Sequence, residues 1–291
     1  MSSKIRIVSD LHIGHKASVI ESLEALRPLA EGVDWLIFNG DTLELKYGDL
    51  DIEHYDAGEQ RRQFEKEAES WDCEVTLITG NHDPEISEIH SLSILNDQVF
   101  ITHGDGLFRE IAPWSSNIEN LKTCTEHIDP QATGQSLEDM HSYLQQHKDA
   151  TLKAHKLDKV YNPTLWGKFK IFLHQAWPPS TPFRILRCWR EVPDRAVSLT
   201  SRFSLAPKFI VLGHTHKPGI WKRGEQTIIN LGSYFPWPGA LCIDIEDTTL
   251  SIRKIQKRRD SISIGACRRS FEIENEGELL KAMPYKVGND A

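Results

Sequence analysis

Val75-Thr76-Leu77-Ile78-Thr79-Gly80-Asn81-His82-Asp83 is the stretch on which the reading of this chain turns. Its first five residues have the length and β-branched content of a buried strand. Gly80 lets the backbone turn, and an amide, an imidazole and a carboxylate follow in succession. Pro84 rules out continuation of the strand, because it lacks a backbone donor. Polar groups set at the end of a buried strand are costly without partners.

Four other stretches share this design. Ile5 to Val8 ends at Ser9-Asp10-Leu11-His12, Trp35 to Phe38 at Asn39-Gly40-Asp41, Gln98 to Thr102 at His103-Gly104-Asp105, and Phe209 to Leu212 at Gly213-His214-Thr215-His216. Asp10 and His12 lie two apart, so an extended backbone points both to one side. Between these runs, Ala17 to Leu29 has apolar residues at helical spacing, stopped near Pro28, and Asp56 to Trp71 is charged and helix-prone. Thr42 to Asp49 reads as loop. Thr227 to Ile229 is another apolar run, and Ala240 to Ile245 with Leu250 to Ile255 read as antiparallel closing strands. Strand and helix alternate, which predicts an α/β sheet flanked by helices. Ligands bind beyond the C-terminal ends of strands in such sheets, where every polar cluster stands.

The strand rhythm stops over residues 106–206. Trp114 to His127, Ser136 to Leu157, Pro163 to Trp177 and Phe183 to Phe203 read as helices, with a proline-rich break at Trp177-Pro178-Pro179. So long an excursion is no structureless loop, and a helical cap over the site is expected. Its second half mixes Trp166, Phe169, Phe172, Trp177, Phe183 and Trp189 with Lys168, Arg184, Arg187, Arg190, Arg195 and Arg202. Two readings stand side by side: a helical hairpin with a solvated basic face, or a surface for an anionic amphiphile or membrane interface. The expected domain is 1–255, interrupted by the 106–206 insertion, with 256–291 a charged tail.

With 291 residues, 39% hydrophobic and 26% charged, the chain has the composition of a soluble globular protein of one or two domains. No window reaches the ~18 uninterrupted apolar residues of a membrane helix. The N-terminus runs directly into the first strand without a signal peptide's apolar stretch, so a cytoplasmic location is expected. Five cysteines are scattered without a C-x-x-C pair, which argues against a disulfide framework or structural zinc. A net charge of −8 argues against a surface coated for nucleic acid.

The strand-end groups Asp10, His12, Asp41, Asn81, His103, His214 and His216 amount to seven oxygen and nitrogen ligands without a thiolate. Shared use of the Asp41 carboxylate lets them serve two metal ions, with Mn²⁺, Fe or Zn²⁺ better suited than Ca²⁺. Two such cations about 3.5–4 Å apart can hold a bridging water, lower its pKa toward about 7 and clamp phosphoryl oxygens. His82 is left over, placed to donate to a phosphoryl oxygen or leaving group, with Asp83 expected to orient it. Glu44, Asp105 and Asn230 are candidates to hold ligands in place. His54, His90, His127, His141, His147, His155 and His174 read as structural or surface residues.

Asp10-x-His12, Gly40-Asp41, Gly80-Asn81-His82-Asp83, Thr102-His103-Gly104-Asp105 and Gly213-His214-x-His216 together resemble the motifs of calcineurin-like metallophosphoesterases. The resemblance covers about 1–105 and 208–255. It implies a two-sheet α/β sandwich, with one metal on Asp10, His12, Asp41 and His216 and a second on Asp41, Asn81, His103 and His214. Gly40-Asp41-x-x-Glu44, Gly48-Asp49 and the helical insert are similar to the UDP-2,3-diacylglucosamine pyrophosphatases of lipid A synthesis, whose aromatic lid holds acyl chains. The implied activity is hydrolysis of a phosphodiester or pyrophosphate bond on a nucleotide-sugar or lipid-linked substrate. A nuclease of the same fold and a non-catalytic scaffold are the rival classes. Acidity weighs against the first, and the intact ligand set against the second.

Overall fold

The computed structural model describes residues 3–45, 57–115, 118–157, 180–258 and 261–274. The chain divides into two compact units, one of Met1–Leu45, Asp56–His103 and Ala206–Ala291, the other of Lys46–Tyr55 and Gly104–Leu205. In chain order the first unit contains β1 (Lys4–Val8), α1 (Arg27–Ala30), β2 (Trp35–Asn39), α2 (Ala57–Glu69), β3 (Glu74–Ile78), β4 (Ser91–Ile94) and β5 (Val99–Thr102). After the second unit's α3 (Ile118–Cys124), α4 (Leu137–Leu157) and α5 (Ser180–Arg202), it resumes with β6 (Phe209–Leu212), β7 (Gly219–Arg223), β8 (Gln226–Asn230), β9 (Ala240–Glu246), β10 (Thr249–Arg258) and β11 (Ser261–Glu272).

The strands form two mixed sheets, ordered β11-β10-β9-β1-β2-β3 and β4-β5-β6-β8-β7, the sandwich that the sequence leads one to expect. Alternation along the strands explains the layering. Ile5 and Ile7 of β1 and Trp35 and Ile37 of β2 share one apolar cluster with Val99, Ile101, Phe209 and Val211 of the other sheet. Val8, Leu36 and Phe38 point the opposite way and pack with Leu26, Leu29 and Phe64. Both faces of β2 are therefore covered, which is why Trp35-Leu36-Ile37-Phe38 is apolar without a break. Arg6 of β1 is buried and meets Asp244 of β9 in a two-pronged pair, Nε to Oδ1 at 2.7 Å and a terminal nitrogen to Oδ2 at 3.1 Å.

Three strands escape the sequence reading: β4, β7 and β11. All three lie at sheet edges, where one side of the ladder is open and polar side chains are tolerated. Because of β11, the region after 255 is not simply a tail. β10 continues to Arg258, and β11 pairs with it from Ser261 to Glu272. The helix expected over Ala17 to Leu29 is also corrected. Only a 3-10 turn at Leu23–Leu26 and the four-residue α1 form there, and Pro28 opens α1 rather than stopping a helix. Residues 17–19 are drawn into tertiary bonds instead: Ser18 Oγ donates to the Leu11 carbonyl at 2.8 Å, and the Val19 N–H to the Tyr234 carbonyl at 3.0 Å.

The described residues of the second unit are helical, apart from turns and a 3-10 turn at Asp105–Leu107. Its segments are shorter than expected at 114–127, where α3 spans only Ile118–Cys124. The helix expected over Pro163 to Trp177 lies outside the described residues. In α5, Cys188, Val192, Ala196 and Leu199 form a buried stripe at helical spacing. Arg202 closes the unit by donating to the carbonyls of Pro130 and Ala132 while lying over the Tyr143 ring. No helix among the described residues is long and apolar enough to cross a membrane.

Candidate metal centre

Parallel pairing of β1 with β2, of β2 with β3, and of β5 with β6 brings the motif-bearing strand ends into line. Cross-bonds tie the two sets together. The Gly213 N–H donates to the His103 carbonyl at 2.9 Å, the His214 N–H to Asp10 Oδ1 at 2.9 Å, and Asn39 Nδ2 to the Thr102 carbonyl at 2.9 Å. The backbone at the ends is forced into unusual shapes. Asp10, His12, Asp41, His214 and His216 all have positive φ, between 49° and 66°. For residues with a Cβ this conformation costs on the order of 1–2 kcal/mol each, and it persists only where the surroundings impose it.

Two groups of ligand atoms result: Asp10, His12, Asp41 and His216 in one, Asp41, His103 and His214 in the other, each within 4.8 Å of one another. Asn81 joins the second, with Oδ1 3.4 Å from His103 Nε2. Asp41 belongs to both through a single oxygen. Its Oδ2 lies 3.3 Å from His103 Nε2 and 3.6 Å from His12 Nε2, while Oδ1 accepts the His82 N–H at 2.8 Å. The other carboxylate oxygen is thus taken by the backbone.

The proton positions show what this cage can hold. His103 Nδ1 sits 3.0 Å from the Asn39 carbonyl, which can only accept, so Nδ1 carries the proton and Nε2 a lone pair. His12 Nδ1 sits 3.2 Å from Glu44 Oε2, with the same consequence. Burial raises the Glu44 carboxyl, but the His82 and His12 imidazoles outweigh it and hold the group well below the usual carboxylate range, so it too only accepts. His12 Nε2 therefore presents a lone pair to His216 Nε2, 3.1 Å away. Burial above all holds the His216 pKa far below its ordinary value, so that ring is neutral. Asp41 Oδ2 is buried and accepts no hydrogen bond. The lone pairs of His12 Nε2 and His103 Nε2 face the Asp41 Oδ2 acceptor in a largely buried cage and repel it unless a cation stands among them, so the residues fit a divalent metal bound by oxygen and nitrogen.

Two glycines are required by space alone. A Cβ on Gly80 would lie 2.2 Å from Asp41 Oδ1, and one on Gly213 would lie 2.1 Å from Asp10 Oδ2 and 2.0 Å from Ser9 Oγ. Asn230 fixes the histidine turn, its Nδ2 donating to the Gly213 carbonyl at 2.6 Å.

Asp83 does not do what its place in the sequence suggests. Its Oδ1 accepts the N–H groups of Asp41 (3.0 Å) and Gly80 (2.9 Å), and its Oδ2 those of Thr42 (2.6 Å) and Leu43 (3.1 Å). Burial first, then the nearby Asp41 charge, pushes its carboxyl up to about 7 against the pull of those donors. The partner of His82 is Glu44, whose Oε1 lies 2.7 Å from His82 Nδ1. One buried carboxylate thus aims two rings, His12 and His82. Asp10 is pushed up to about 6 by burial, against the neighbouring His103.

Three contributors went unnoticed in the sequence. Ser9 Oγ lies 2.6 Å from Asp10 Oδ2; the Asn39 carbonyl orients His103; and the Phe235 ring stacks on His12 at 4.9 Å and meets His216 edge-on at 5.0 Å. Ser9 and Asn39 adjoin motif residues and were open to suspicion, whereas nothing distinguishes Phe235 from any other aromatic. Of the histidines read as structural, His90 Nδ1 pairs with Thr79 Oγ1 at 2.8 Å and His147 Nδ1 with the Tyr143 carbonyl at 3.1 Å. His54 and His174 lie outside the described residues. Asp105 opens the 3-10 turn of the second unit.

No curated protein sequence matches this chain. Among solved structures, a predicted phosphoesterase from Streptococcus pneumoniae is similar at 14% identity, over 94% of this chain and 98% of that one, with a TM-score of 0.36. The phosphoesterase Yfce from E. coli is similar at 16% identity, over 93% and 100% of the two chains, with a TM-score of 0.40. Vps29 from Chaetomium thermophilum is similar at 10% identity, over 94% and 100%, with a TM-score of 0.44. The family model of the calcineurin-like phosphoesterases matches residues 3–218, a span that holds all five strand-end motifs, and the chain belongs to that family.

Proposed function

We propose that this protein is a hydrolase of phosphodiester or pyrophosphate bonds that works with two divalent cations, Mn²⁺ foremost, in the cage of Asp10, His12, Asp41, Asn81, His103, His214 and His216. The observation that carries the reading is the convergence of acceptor-only atoms on Asp41 Oδ2, with the protons of His12 and His103 turned outward. Two cations held there would acidify a water toward a pKa of about 7 and draw charge from the phosphoryl oxygens.

The chain's own groups do the rest. Glu44 receives His82 Nδ1–H, so the His82 ring is fixed with Nε2 turned away from the carboxylate. His82 is one-fifth exposed, whereas Glu44 is fully buried, so the ring can reach a substrate that its partner cannot. A proton held at His82 Nε2 is placed for a phosphoryl oxygen or for the departing oxygen. Phe235 stacks on His12 and meets His216 edge-on, which limits water around them. Asp83 holds the Asp41 loop through four backbone N–H groups and takes no part in the chemistry.

A nucleotide-sugar or lipid-linked substrate is favoured by α5, whose first turns expose Phe183 and Leu186 on the same face as Arg187 and Arg190. The test of the central reading is direct. Metal content is measured after purification, and hydrolysis of bis-p-nitrophenyl phosphate is followed with Mn²⁺ and with chelator. Bound divalent metal, chelator-sensitive turnover, and its loss in Asp41→Asn and His82→Ala with unchanged circular dichroism are expected. Turnover that survives both substitutions refutes the mechanism. Metal-free, inactive protein supports the scaffold reading, and cleavage of single-stranded DNA in preference to small diesters the nuclease.

A further inference from the structure

We propose that the first unit carries a second binding site, for a phosphorylated small molecule, in a cavity of about 690 Å³ walled by Lys16, Glu21, Pro236, Pro238, Lys254 and Lys257. Its volume lies within the roughly 300–1,000 Å³ of small-molecule pockets. Its charge runs against that of the protein. The chain carries −8 overall, yet this wall supplies three amines against one carboxylate. Lysines gathered in a concave wall focus positive potential where an anion can enter.

The two sides of the cavity are built, not draped. On one side Ala17 N–H donates to His15 Nδ1 at 2.9 Å, Ser18 Oγ to the Leu11 carbonyl at 2.8 Å and Val19 N–H to the Tyr234 carbonyl at 3.0 Å. On the other, Lys257 Nζ reaches up from β10 and donates to the carbonyls of Ser233 and Phe235. Two of its three N–H groups hold the loop, and a third can meet a ligand. Burial, with Lys254 adding to it, pushes this amine down to about 8, so an anion beside it would be strongly welcome. Trp237, 74% exposed, lies between the two lining prolines in the chain, and the proposal gives its indole the part of stacking a nucleobase or similar ring at the rim. None of the residues lining the cavity belongs to the metal cage, so the site does not depend on the hydrolytic reading.

The experiment uses the full chain stripped of metal with chelator, which silences the catalytic cage. Inorganic pyrophosphate and ADP are titrated by calorimetry and by tryptophan fluorescence at low salt. Saturable binding of both, weakening as NaCl is raised, is expected. Lys16→Ala with Lys254→Ala should weaken both ligands at least tenfold, while Asp41→Asn leaves them unchanged. Trp237→Phe should remove the fluorescence change and weaken ADP more than pyrophosphate. The lysines lie at the surface, and Tm of each variant checks that folding is retained. Absence of saturable binding overturns the proposal. So does binding that survives the double lysine variant but is lost in Asp41→Asn. A fluorescence change that persists in Trp237→Phe overturns the stacking role.

Discussion

Replacing Glu44 by glutamine removes one charge and one acceptor from a side chain that is fully buried between two imidazoles. Its oxygens now receive His12 Nδ1 at 3.2 Å and His82 Nδ1 at 2.7 Å. An amide has one acceptor oxygen, so one ring would face an NH₂ group. To avoid two opposed donors that ring must shift its proton to Nε2. If the ring is His12, the proton points into the cage and removes a metal ligand. If it is His82, the ring stays aimed with its proton on Nε2, but the carboxylate charge that favours its protonated form is gone. Losing a hydrogen bond to a charged group costs about 1.5–3 kcal/mol. Divided by about 1.4 kcal/mol per decade, this is about a 10- to 100-fold loss, the range found when residues behind metal ligands are changed. The assay is calorimetric titration of Mn²⁺ into chelator-stripped protein, paired with kcat on a soluble diester. A fall in Mn²⁺ affinity traces the effect to His12, and a fall in kcat at saturating metal to His82. Glu44→Asp should not rescue either, because the shorter carboxylate cannot span both rings. Wild-type affinity together with wild-type kcat in Glu44→Gln would refute the tautomer argument.

Asp83→Asn should lower Tm by about 4–10 °C, since its carboxylate answers four backbone donors and 1 kcal/mol moves Tm by about 2–4 °C in a chain of this size; an unchanged melting curve would mean the Asp41 loop is held by other contacts. Gly213→Ala forces a methyl against Asp10 Oδ2 and should reduce Mn²⁺ binding at least tenfold in a folded protein, which metal analysis after dialysis would show or refute. Phe235→Ala uncovers His12 and His216, and metal loss on dilution should be several-fold faster than in wild type, followed with a chromogenic chelator. Phe183→Ser with Leu186→Ser should abolish binding to anionic lipid vesicles without altering turnover of a soluble diester; vesicle binding by the double variant equal to wild type, or none by either protein, counts against the amphiphile surface.

Much of the fold was legible along the chain. Strands covered on both faces, such as β2, β5 and β6, are apolar along almost their whole length, so they stand out in one dimension. Edge strands need cover on one side only. β11 is largely polar and exposed, and its sequence resembles a solvated tail until β10 supplies a ladder. The 17–29 segment failed for a different reason. Its apolar spacing is helical, but hydrogen bonds to the carbonyls of Leu11, outside the segment, and of Tyr234, distant in sequence, outcompete the helix's own.

The sequence alone determined which atoms would gather at the strand ends, because acid, amide and imidazole groups after a buried strand have few affordable places to go. The identities of the seven cage residues follow from that local rule. Only the tertiary structure decided how they are aimed. Glu44 rather than Asp83 meets His82, one oxygen of Asp41 rather than two faces both ligand groups, and Phe235 closes the cage from a distant loop. Direction depends on left-handed turns at five cage residues and on hydrogen bonds between strands far apart in the chain. Those are set by packing, and residue spacing along one strand carries no record of them.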